Sequence, residues 1–128
     1  MRFLLTIGAL ALMMVACSGT ASPPARCERA PQAILDKISE GLTIAGGGSL
    51  SNGWAVRSKD YEKVWFVAAE LTGEGIPAST MAIWATNSLN GDGMIFSAGA
   101  MAKEFSQWGP GSFSSTDDGA QEAIRCAE

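Results

Sequence analysis

The stretch Val64-Trp65-Phe66-Val67-Ala68-Ala69-Glu70-Leu71 is apolar at both parities until Glu70. A strand with one wet face alternates, whereas a strand covered on both faces does not. This segment therefore predicts a central strand with a layer of side chains on each side. Thr72-Gly73-Glu74-Gly75-Ile76-Pro77 follows as turn chemistry. Ala78 to Thr86, with Met81, Ile83 and Trp84, then reads as the next strand, antiparallel to the first. Upstream, Ser49 to Arg57 carries Trp54 and Val56 in strand context. Downstream, Asn90-Gly91-Asp92-Gly93 is a turn by composition, with a short strand at Met94-Ile95-Phe96.

Helices are expected at both ends of this sheet. Pro31 suits a first helical turn, Ile34, Leu35, Ile38 and Leu42 recur at helical spacing, and Gly41 is a stop signal near the end of the pattern. Ala98, Met101, Ala102, Phe105 and Trp108 form one stripe of a second helix, ended by Gly109-Pro110-Gly111. Asp117-Asp118 are acids suited to a helix N-terminus. Ala120, Ala123, Ile124 and Ala127 face inward on the last helix, which carries Cys126. The fold class is α+β: a small antiparallel sheet of three to four strands packed with N- and C-terminal helices.

The N-terminal segment has a different character. Arg2 precedes FLLTIGALALMMVA, an uncharged apolar run ending in small residues, in the order of a secretory signal peptide. The run is too short to span a membrane, which takes about 20 apolar residues. Met14-Val15-Ala16-Cys17 resembles a bacterial lipobox, with Met14 where leucine is usual. Ordinary cleavage near Ala16 would instead leave Cys17 as a thiol. The chain has three cysteines, and an odd thiol is awkward in an oxidising compartment. A lipid on Cys17 removes it and leaves Cys27 and Cys126 to pair. The expected organisation is a signal peptide over 1–16, a lipidated Ser/Pro/Ala tether over 17–26, and one disulfide-closed domain over 27–128. The location expected is the outer face of a bacterial membrane.

VWFVAAEL, MAIWATNS, AMAKEFSQWG and DDGAQEAIRC together resemble small hypothetical lipoproteins of actinobacteria, which share a signal of this kind and a terminal cysteine. The resemblance implies an envelope location and a single domain. It implies no activity.

Composition narrows the chemistry. The formal net charge is -4, which gives no basic footprint for nucleic acid or anionic lipid. Histidine is absent. Ser–His and Cys–His catalysis are thereby excluded, and no Ser-x-x-Lys spacing occurs. Gly46-Gly47-Gly48-Ser49-Leu50-Ser51 nearly fits a dinucleotide fingerprint, but Ser51 replaces the last glycine and no Gly-Lys follows. It reads as a turn or bulge. With two cysteines bridged, zinc or copper would need carboxylates, so no metal or other cofactor is expected. Asn87, Asn90 and Asp92 offer oxygen ligands for calcium without the acids of an EF-hand, and an ordinary turn accounts for them.

Two functional readings survive. The first is a non-catalytic module that binds an envelope protein or glycan through Trp54 and Trp108, which flank glycines at element ends where an indole can be exposed. Trp65 and Trp84 are read as core. The second is a carboxylate-dependent hydrolase. Its candidate is Glu70, which ends an apolar strand, although exit to water or pairing with Lys63 or Lys103 explains the same residue. Asp36 and Glu40 read as a solvated helix face. The first reading asks nothing that the sequence lacks.

Overall fold

The computed structural model describes residues 26–128. Residues 1–25 lie outside this range, so the signal peptide, Cys17 and all of the tether except Arg26 are not described. The domain is an antiparallel meander of five strands in sequence order: β1 (Glu28–Arg29), β2 (Gly48–Arg57), β3 (Trp65–Gly73), β4 (Thr80–Thr86) and β5 (Ile95–Ser97). Three helices complete it: α1 (Gln32–Glu40), α2 (Ala100–Phe105) and α3 (Ala120–Ala127). The α+β class holds. The strand count exceeds expectation by the two-residue β1, which pairs Glu28 with Ala55 and Arg29 with Trp54.

β3 is central, and its neighbours explain its composition. One core cluster sets Val67 and Ala69 among Ala82, Trp84 and Ile95 beneath α1 and α2, which contribute Ile34, Leu35, Ile38 and Ala102. The other sets Phe66 and Ala68 with Val56, Ile83 and Ala85 beneath α3, which contributes Ala120, Ala123 and Cys126. Alternate residues of one strand thus feed opposite layers, as the pleat requires.

Local chemistry fixes the connections. Gly46 and Gly47, at φ +79° and +89°, turn the chain into β2. The register between β2 and β3 shifts between Ser51 and Trp54, where Asn52 adopts φ +51°. The glycine run is thus a turn, one of the two forms expected of it, and a separate bulge falls after it, inside the strand. α1 ends at Gly41, as its sequence predicts.

Two expectations about helices change. α2 is shorter than the stripe from Ala98 to Trp108. Ser106 is extended (φ −141°, ψ 159°) and pairs with Leu42, while Ala98 joins the layer opposite Ala102. α3 begins after Gly119, whose N–H is accepted by the Glu122 side chain at 2.8 Å, so Asp117 and Asp118 stand before the helix.

The Cys27–Cys126 disulfide is present, with 5.7 Å between the Cα atoms. It joins α3 to the chain just before β1, at one edge of the sheet. α1 packs on the other face, so the bridge clips the last helix to an edge strand and not to the first helix.

Candidate functional site

Trp54 sits on the α3 side of β2, half-buried. Its Nε1 donates to Asn52 Oδ1 at 2.9 Å, and the Arg29 guanidinium lies 4.3 Å from the ring centroid. The bulge that sets Asn52 into the left-handed region thus supplies the acceptor for the indole.

Trp108 is half-buried on the α1 side, and its Nε1 donates to the Ile38 carbonyl at 3.0 Å. A Cβ on Gly41 would meet this indole, with Cε2 at 2.5 Å. Gly41 therefore serves the close approach of Trp108 as well as the end of α1. The two residues expected to share a binding surface lie on opposite layers, each with its N–H engaged by the protein. The structure does not bring them together.

Glu70 lies between Ser51 and Met81 in the sheet register and is half-buried. Neither cross-strand neighbour is acidic. Asn87 and Asp92 are occupied in closing their own turn, and Asn90 joins it through its backbone: Asn87 Oδ1 accepts the Met94 N–H at 2.8 Å, Ser88 Oγ donates to Asp92 Oδ1, and the Asn90 N–H donates to Ser88 Oγ at 3.3 Å. Among the described residues no group of three or more Cys, Asp and Glu side chains converges for a metal ion. No helix among them is long and apolar enough to cross a membrane.

Trp84 is core, as expected, with its Nε1 on Ser106 Oγ at 3.1 Å. Trp65 is not. It is half-buried at the first position of β3 and belongs to neither core cluster. Arg57 stands directly opposite it on β2, with the guanidinium 5.5 Å from the ring. Trp54, Trp84 and Trp108 each donate an indole N–H within the protein, whereas Trp65 has no such partner among the described residues. Arg57 is exposed, and its side chain enters no ion pair there. An aromatic edge and a guanidinium whose N–H groups have no hydrogen-bond partner among the described residues are equipped to meet a ligand carrying acceptors. The sequence signal was Trp65's place at the strand end, outweighed by the apolar run that follows it.

A second polar group gathers where α3 begins. Arg26 donates to both carboxylate oxygens of Asp118, at 3.1 and 2.7 Å, and to the Arg57 carbonyl. Asp118 also accepts the Lys59 backbone N–H at 2.7 Å. The Arg26 side-chain bond, then the Lys59 N–H, lowers the Asp118 pKa to about 2. Arg26 is raised from its already high value by the same bond. Asp117 accepts the Ser114 N–H at 2.8 Å and the Tyr61 hydroxyl at 3.4 Å. Partial burial, then Asp117, raises the Tyr61 phenol. Every carboxylate oxygen contact here fastens a loop or a terminus, so the group is a fastening. Arg26, expected in the tether, is held on the domain by it.

No family model, curated protein or solved structure matches this chain.

Proposed function

We propose that this chain is an exported lipoprotein, held to the outer face of a bacterial membrane through Cys17, whose domain binds an envelope protein or glycan without catalysis. The observation that carries the proposal is the Cys27–Cys126 bridge. It takes up two of the three cysteines and leaves Cys17, at the end of an apolar signal-like run, as the odd one. A lipid there disposes of the thiol and supplies the anchor.

The domain suits a display role. One edge is closed covalently by the Cys27–Cys126 bridge, and a polar fastening holds Arg26, the last tether residue, so the tether leaves from a fixed point. The contact surface proposed is Trp65 with Arg57, whose indole N–H and guanidinium N–H groups have no hydrogen-bond partner among the described residues. Trp54 and Trp108 contribute mainly to packing.

Two measurements test this reading. Cys17→Ala should move the chain from the membrane fraction to the medium in a native-like host. Retention at the membrane would remove the lipid anchor from the account. The lipidated chain in detergent should also cosediment with purified envelope glycan or cross-link to an envelope protein, and Trp65→Ala should abolish the interaction. Binding unaffected by Trp65→Ala would displace the proposed surface.

A further inference from the structure

The layer over the α3 side of the sheet is fastened differently from the layer over the other side. α1 and α2 cover β2 to β5 with Ile34, Leu35 and Ile38 buried, around a fully buried Trp84. Large apolar side chains hold that side. α3 has only 8 residues, and its buried positions are Ala120, Ala123 and Cys126, with Ile124 half-buried. A helix of this length is not stable alone, and alanines bury little surface to hold it down.

What holds α3 is a set of clips along one edge. Cys126 is bonded to Cys27, the Ala127 carbonyl accepts from Asn52 Nδ2 at 2.7 Å, and Asp118, just before the helix, pairs with Arg26. The last two are solvent-accessible contacts of the kind that contribute little singly. α3 follows every strand of the sheet in the chain, so it can leave without withdrawing one of them. Phe113 remains behind on the preceding loop, its ring 6.0 Å from Phe66 and 5.0 Å from Tyr61, and keeps part of the apolar surface covered.

We infer that α3 is a redox-released cover: reduction of Cys27–Cys126 frees the helix from Val56, Ala68 and Ile83 while the α1 side of the sheet stays folded. The reductant is a dithiol. Its thiolate attacks Cys27 Sγ, on a residue that is partly exposed, whereas Cys126 is 4% exposed. The Cys27–Cys126 bond breaks with Cys126 leaving as a thiolate, and a mixed disulfide forms on Cys27. The second thiol of the reductant resolves it. Two electrons pass to the protein, both cysteines end as thiols after protonation, and the reductant ends as its own disulfide. The inference requires only the bridge and the packing, and stands apart from the envelope role.

Hydrogen exchange on the full mature chain, oxidised and in dithiothreitol, tests it. Amides of α3 should lose protection by about a hundredfold or more on reduction, while those of α1, β3 and β4 change by less than about tenfold. Cys27→Ser should reproduce the reduced pattern without reductant. Unchanged protection of α3 would show that the bridge is not its fastener. Equal loss across all elements, or an unfolded Cys27→Ser chain, would show one cooperative unit and no separable cover.

Discussion

Asp118 receives two hydrogen bonds from Arg26, 92 residues earlier in the chain. One ion pair therefore joins the first described residue to the start of the last helix. Its pH dependence has a definite sign. The Asp118 pKa is lowered from 3.8 to about 2 in the fold, chiefly by the Arg26 bond. A depressed carboxylate contributes stability above its unfolded value, and loses it as pH falls through the folded value. We expect Asp118→Asn to cost about 1 kcal/mol near neutrality, after allowance for solvent screening. In thermal unfolding the gap between variant and native chain should close between about pH 4 and pH 2. A gap that stays constant over that window would remove the pair from the account.

Gly41 and Trp108 give a steric prediction. Gly41→Ala drives a methyl group into the indole and should destabilise by about 1–3 kcal/mol in urea unfolding. Trp108→Phe keeps much of the ring but removes one of the two donors to the Ile38 carbonyl, which keeps the Gly41 N–H, at a cost of about 1 kcal/mol or less. A neutral Gly41→Ala would mean that the contact relaxes freely.

Two buried serines should respond with opposite signs. Ser106 Oγ accepts from Trp84 Nε1 and donates to the Ala102 carbonyl, so Ser106→Ala should cost about 1–3 kcal/mol. Ser97 Oγ is buried and has no hydrogen-bond partner among the described residues. Burying an unpartnered hydroxyl is unfavourable, so Ser97→Ala should be neutral or stabilise by up to about 1 kcal/mol. Chemical denaturation of both variants checks the contrast, and equal losses would contradict it.

The tryptophans of adjacent strands differ in the same way. Trp84→Ala should cost about 3–5 kcal/mol, because the indole is fully buried. Trp65→Ala should cost less than half as much, since its ring lies outside both clusters. Comparable losses would return Trp65 to the core and remove its availability to a ligand.

Much of the architecture was legible in apolar patterning. The unbroken run at Val64–Leu71 implied cover on both faces, and the structure puts Val67 and Phe66 in opposite layers. Helical spacing of Ile34, Leu35 and Ile38 gave α1, and cysteine counting gave the bridge. β1 escaped notice because two residues have no period to read. Trp108 continued a helical stripe on paper, but its indole reaches the Ile38 carbonyl from an extended segment, a tertiary contact invisible to periodicity. The candidate site was read less well. Glycine neighbours suggested exposure at Trp54 and Trp108, whereas Gly53 lies by the bulge with Leu35 close to it, and Gly109 stands in open space beside an indole that turns inward to the Ile38 carbonyl. Trp65 was hidden by the apolar residues after it, and Arg57 gained meaning only through the register that sets it opposite.

The central claim is that Cys17 carries the lipid while Cys27 and Cys126 carry the bridge. Intact mass of the protein from the membrane fraction, measured with and without reductant, tests it most directly. The account predicts a mature chain starting at Cys17 with a diacylglycerol adduct, gaining the mass of two hydrogens on reduction. An unmodified chain recovered from the medium would contradict the anchor, and an unchanged mass on reduction would contradict the bridge.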